Sequence, residues 1–251
     1  MALSLFTAIP AGVDEALDDE TAARAIAWLP AIGLLLGGLG GGVLLGTGLS
    51  GESAAKRLLG AALAIAVIAV LTGGLHLDGL ADTADGLGSR RPAADALAIM
   101  RRSDIGPMGV ATLVLTLLIQ VTALAAVPRL PLAAAALVLA ETTGRVSVVV
   151  ATSSPGARPG GFGALVAGRT TRLDRALTVG VLAAAVAAAG VTAGGPALAS
   201  RWLAAVAAGL AAGWLLQRTA ERRLGGMTGD VFGAILLVSA ATVLVVAALA
   251  S

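Results

Sequence analysis

Three aspartates, Asp78, Asp82 and Asp85, follow the chain's single histidine, His76, within Gly73 to Gly88, GGLHLDGLADTADGLG. On a helix, spacings of i, i+4 and i+7 leave all three within a stripe roughly 60° wide. Carboxylates that share a face repel one another until a cation neutralises them, and oxygen-only ligands suit a hard ion such as Mg2+. A phosphate-bearing substrate would complete that shell. Asp78, Asp82 and Asp85 are therefore expected to hold metal, with Asp82 and Asp85 also taking part in catalysis. His76 falls off the stripe and is expected as a hydrogen-bonded support or a base. A solvated acidic turn paired with arginines is the plainer alternative; Leu75, Leu77, Leu80 and Leu87, interleaved with the acids, argue that the helix is pressed against membrane or protein.

Four further strings carry polar chemistry. In Met100 to Gly109, MRRSDIGPMG, the adjacent Arg101 and Arg102 precede Asp104, and guanidinium groups facing carboxylates suit a diphosphate that bridges metal and arginine. Ordinary positive flanking of a span explains any one of these arginines equally well. Glu141 and Arg145 stand at i, i+4 inside an apolar stretch, as a structural bridge or a polar wall of a site. The glycine-rich stretch Thr152 to Gly168 carries Arg158 and several hydroxyls, which suits wrapping a large polar ligand or a plain connector. Arg222 and Arg223 lead into GGMTGDVFG, where Thr228 and Asp230 offer a hydroxyl and another carboxylate.

These residues need elements to hold them, and the composition says which. Of 251 residues 57% are hydrophobic and 13% charged, at a mean hydropathy of +0.93, which points to an integral membrane protein. The expected fold class is all-α: one polytopic helical bundle over residues 1–251, with about seven spans at Leu29 to Leu49, Leu58 to Leu75, Val110 to Val127, Leu130 to Val150, Ala176 to Val191, Leu198 to Leu216 and Val231 to Leu249. The run Gly37 to Gly42 holds five glycines, which suits close helix packing better than a phosphate loop. Trp28, Trp202 and Trp214 fall near span ends, as interfacial anchors would.

Formal charge is only +2, so no nucleic-acid surface is implied. The absence of cysteine excludes disulfides, thiolate metal sites and a cysteine nucleophile, and makes zinc improbable. The acidic residues Asp14 to Glu20 after a short apolar start argue against a signal peptide. On a seven-span model twelve of the seventeen basic residues fall on the side that holds every string described above, and four on the other, with Arg145 inside a span. That asymmetry predicts a cytoplasmic N-terminus and a site on the cytoplasmic face.

The strings GGLHLDGLADTADGLGSRR at 73–91, ALAIMRRSDIGPMGV at 96–110, Glu141 with Gly144-Arg145, and RRLGGMTGDVFGA at 222–234 resemble, in order and spacing, the membrane-bound cobalamin synthases, or adenosylcobinamide-GDP ribazoletransferases. The resemblance covers nearly the whole chain. It implies transfer of a phosphorylated corrinoid from adenosylcobinamide-GDP to α-ribazole or its 5′-phosphate, with release of GMP and dependence on Mg2+. It also implies a place in the bacterial inner membrane, multi-pass, with homo-oligomerisation left open. On this reading Asp82, Asp85, His76 and Asp230 are catalytic candidates. Arg101, Arg102, Asp104, Glu141, Arg145, Arg158, Arg223 and Thr228 bind substrate, and Asp78, Asp82 and Asp85 bind metal. Two departures stand out. Family members read Met-Arg-Asp-Ser-Arg before Ile-Gly, whereas Arg102 and Asp104 occupy those acidic and basic places in exchanged order. The opening Phe6 to Pro10 has Ala8 where a basic residue is common. The rival readings are another membrane alcohol transferase, of the CDP-alcohol phosphotransferase or aspartate-rich prenyltransferase kind, and an ion-coupled transporter using Glu141, Arg145 and the aspartates.

Overall fold

The computed structural model describes Thr7, residues 19–49, Gly51 and residues 53–250; the departure at Ala8 lies outside the described residues. Ten helices account for nearly all of them: α1 Asp19–Ala27, α2 Leu29–Gly48, α3 Ala54–Leu71, α4 Leu75–Gly88, α5 Ala93–Ile99, α6 Pro107–Ala126, α7 Leu130–Ala151, α8 Phe162–Val166, α9 Arg172–Leu224 and α10 Gly229–Leu249. Among the described residues there is no strand, only one isolated parallel bridge between Gly156 and Met227. The helix ends follow from local chemistry. Proline stands in the first turn of α2, α6 and α7, where its missing N–H costs nothing. Ser53, Thr171 and Thr228 cap α3, α9 and α10 with their hydroxyls, and Asp174 completes a capping box with Thr171.

Six helices, α2, α3, α6, α7, α9 and α10, are long and apolar enough to cross a membrane. The fifth is 53 residues long, and a straight helix of that length would run roughly 80 Å, far beyond a bilayer core. It folds back instead. Gly194 is extended, Gly195 has φ +81°, Pro196 follows, and Gly190 then lies against the backbone of Ala199. The two limbs restore the seven crossings expected.

Helices α7 and α10 form the buried axis, with α2, α6 and α9 against them and α3 packed outside on α2 and α6. Helix α2 packs closest on α7 because its glycines remove the side chains that would keep the two backbones apart. A Cβ on Gly33 would meet Thr142 Cα at 2.7 Å, and one on Gly37 would meet Val138 Cα at 2.7 Å. The glycine run is thus a packing surface. Trp28 is exposed at the α1–α2 junction and Trp214 is exposed under Arg218, 5.5 Å from its ring, as anchors should be. Trp202 corrects the expectation: it is 5% exposed and packs among Leu182, Val186 and Val206, inside the α9 hairpin.

Connections alternate between two ends of the bundle. At one end Arg57 of α3 donates to the carbonyls of Ala125, Val127 and Pro128, tying the α2–α3 and α6–α7 connections together. At the other end lie residues 72–106, 152–171 and 225–228, the strings singled out for chemistry.

Candidate active site

Helix α4 carries the acids, and two glycines decide where it goes. Gly73 and Gly74, with φ of +60° and +72°, break the chain after α3 in a conformation that favours glycine. Helix α4 then runs antiparallel to α10. His76 Cα lies against Gly233, and a Cβ on Gly79 would meet the Asp230 carbonyl oxygen at 2.7 Å. The helix therefore starts about one turn deeper than Asp230 and climbs out past it. The expected stripe is real: Asp78 is exposed, Asp82 and Asp85 are half-buried, and the Asp82 carboxyl is pushed up to about 6, by burial first and then by Asp78, Asp230 and Asp85.

Asp85 has a second employment. Its Oδ2 accepts the Gly106 N–H at 2.7 Å and its Oδ1 the Gly109 N–H at 2.8 Å, so it caps the N-terminal turn of α6 from across the site. Only glycine leaves room there, since a Cβ on Gly106 would sit 2.5 Å from the carboxylate. Among the described residues no three acidic or histidine side chains converge as a ready-made metal cage. The groups that could hold a cation are therefore Asp78 and Asp82, one turn apart with their oxygens not tied to backbone, together with whatever oxygens a substrate brings.

The 152–171 connection is stitched to the 225–228 turn by two backbone hydrogen bonds, Ala157 N–H to Met227 O and Met227 N–H to Pro155 O, both 2.8 Å. Gly163 lets α8 lie directly on the Met227 carbonyl. Below this seam Ser154 donates to Glu221 at 2.5 Å, Gln217 donates to Ser153 and Ser154, and Arg218 pairs with Glu221 at 3.0 Å.

Two cavities open at this end. One, of about 440 Å³, is walled by Arg101, Arg158, the 159–163 glycine stretch, Thr228 and the first turn of α10. Cations, backbone N–H groups and a helix N-terminus suit phosphate. The other, of about 280 Å³, is walled by Leu29, Leu75, His76, Asp78, Val148, Phe232, Gly233 and Leu236. Phe162, Gly229 and Asp230 border both, so the cavities meet at Asp230. Its carboxylate accepts from Thr228 Oγ1 at 3.1 Å and lies 3.5 Å from Arg158 Nη2.

The remaining candidates fall elsewhere. Arg102 and Asp104 are exposed and grip each other through two hydrogen bonds of 2.9 and 2.7 Å; that contact with Arg102 holds the Asp104 carboxyl below its usual range. Arg145 and Glu141 form an ion pair of 2.6 Å within α7, buried from every side, with the Arg145 Nε and Nη2 unpartnered. They border neither cavity. His76 is buried, and burial followed by the Arg145 charge pushes its imidazole down to about 3, so it is neutral. Arg223 is exposed in the last turn of α9, outside the lining of both cavities. Phe162 and Phe232 escaped the sequence reading, yet they meet edge to face at 6.3 Å, Phe162 bordering both chambers and Phe232 the apolar one. Their signal was rarity: the chain has three phenylalanines, and two sit in glycine-rich strings at the polar end.

The family model for cobalamin-5-phosphate synthase matches residues 1–248. Proteins named adenosylcobinamide-GDP ribazoletransferase are similar over most of their length. That of Frankia casuarinae is 38% identical, the alignment covering 99% of this chain and 93% of the relative. That of Bradyrhizobium diazoefficiens is 38% identical, over 99% and 92%. That of Citrobacter koseri is 36% identical, over 90% and 88%. No solved structure matches the chain.

Proposed function

Because the chain belongs to the cobalamin-5-phosphate synthase family, we propose that it joins adenosylcobinamide-GDP to α-ribazole or its 5′-phosphate and releases GMP. The observation that carries the reading is the meeting of a basic, glycine-lined chamber with an apolar one at Asp230, beside the Asp78–Asp82 face. A transferase needs two adjoining substrate sites, and a diphosphate donor needs cations on one side only.

The acceptor hydroxyl attacks the corrinoid-linked phosphorus in line, the bond to the bridging oxygen breaks, and that oxygen leaves on GMP. Asp230, which borders both chambers, accepts the hydroxyl proton. Arg158 exchanges its contact with Asp230 for a nonbridging phosphate oxygen, and Arg101 on the same wall clamps another. Mg2+ fits this donor set in one form: it would be held by Asp78 and Asp82, where its charge would offset the burial, and then the neighbouring carboxylates, that push the Asp82 carboxyl up. Bound there, it would neutralise charge on the leaving diphosphate. Asp85 is left to hold α6, and neutral His76 to shape the apolar wall. The basic asymmetry of the loops supports a reading in which this end faces the cytoplasm at the inner membrane.

Mass spectrometry of the product formed by the purified protein in lipid nanodiscs from adenosylcobinamide-GDP, α-ribazole and Mg2+ tests the reading. A cobamide of the summed mass and one GMP per product are expected. Donor consumed without a corrinoid–ribazole product would refute it.

A further inference from the structure

The apolar chamber is larger than the chemistry at Asp230 requires, and its walls are the wrong kind for phosphate. Leu29, Leu75, Val148, Phe162, Phe232 and Leu236 supply hydrocarbon and aromatic faces on several sides. An apolar cavity of roughly 150 Å³ is enough for a benzene ring, so about 280 Å³ accommodates a substituted bicyclic aromatic. Its polar side chains are those of Asp78, Asp230 and the buried His76. A flat aromatic group inserted here leaves whatever is attached to it pointing at the two carboxylates.

We propose that this chamber seats the aromatic base of the acceptor nucleoside, so that the base's apolar bulk selects the acceptor while its ribose projects to Asp230. The inference rests on the transferase reading above. The base desolvates against Leu75, Phe232 and Leu236, and the ribose hydroxyl reaches the seam where the donor's phosphorus lies. Selection follows from shape and burial, because each buried methyl group contributes about 0.8 kcal/mol, close to fourfold in affinity. The occupant is committed by continuity: the chamber opens onto the proposed proton acceptor, Asp230, and a chain of lipid lodged there would displace substrate rather than assist it.

The test uses the full-length protein in nanodiscs with adenosylcobinamide-GDP held constant and three α-ribosides as acceptors: dimethylbenzimidazole, benzimidazole and adenine. Wild-type kcat/KM for the acceptor should fall about fifteenfold on loss of both methyl groups and further for the more polar purine, with the donor's KM unchanged. Val148→Phe narrows the chamber and should cost the dimethyl base at least tenfold more than benzimidazole. Leu75→Trp should do the same from another wall, at a position 50% exposed that tolerates a large side chain. Equal efficiency for all three bases, or equal loss for all three in both variants, overturns the proposal while leaving the transferase reading intact. Absence of transfer to every riboside by wild-type protein overturns both.

Discussion

Asp82 and Asp85 sit one turn apart on α4, yet their surroundings divide the work between them. Asp85 spends both oxygens on the N-terminal turn of α6, 21 and 24 residues away in sequence. Asp85→Asn should therefore lower stability by about 1–2 kcal/mol, as loss of charge-assisted bonds at a helix start does. The thermal midpoint reads that loss. The Mg2+ concentration for half-maximal activity should stay the same, and a tenfold rise would make Asp85 a ligand after all. Asp82 is instead half-buried and, secondly, crowded by the charges of Asp78, Asp230 and Asp85. Its folded pKa, about 6, lies above the ordinary 3.8, so between those values the folded state holds the proton more tightly than the unfolded. Stability of the chelated protein should fall as pH rises through that window. Added Mg2+ or Asp82→Asn should flatten the slope, and a slope unchanged by Asp82→Asn would contradict the assignment. The acidic stripe was legible in sequence because it needs only helical spacing. The capping of α6 was not, because it depends on which loop glycines fold back to meet the carboxylate. Arg102 and Asp104 likewise satisfy each other in an exposed ion pair of 2.7 Å.

The elements obey packing before chemistry. The glycines of α2 and the seven spans were readable from composition, and the fold-back at Gly194 and Gly195 falls between the expected spans Ala176 to Val191 and Leu198 to Leu216. The burial of Trp202 escaped because a span end inside a hairpin is interior, not interfacial. Glu141 and Arg145 had two readings in sequence, and α7 at the bundle axis closes them on each other, outside the lining of both cavities. Glu141→Ala leaves an uncompensated buried guanidinium and should cost about 3–5 kcal/mol. Adding Arg145→Met to it should recover most of the thermal midpoint in detergent. A double variant no more stable than the single one would show that the pair serves something beyond its own neutralisation. At the loop seam, Gly163→Ala drives a methyl group into the Met227 carbonyl and should raise KM for the donor at unchanged expression. Unaltered kinetics would mean that the stitching of the two loops is not needed for the basic chamber.

At the scale of the molecule, the helical bundle places acids, arginines and glycines from three distant connections at one end. The sequence pattern foretold that gathering through its basic asymmetry but not the division into two chambers, which depends on where Phe162 and Phe232 meet. Orientation has a clean test because the chain lacks cysteine. A single Cys at Ser103 should react with an impermeant maleimide only from the cytoplasmic side, and one at Gly51 only from the outside. The reverse pattern would invert the topology. The account as a whole turns on the seam. The most direct measurement is single-turnover formation of the corrinoid–ribazole bond by Asp230→Asn, with donor affinity measured in parallel. The account predicts a rate at least a hundredfold below wild type, with donor affinity within about threefold. A wild-type rate in that variant would contradict it.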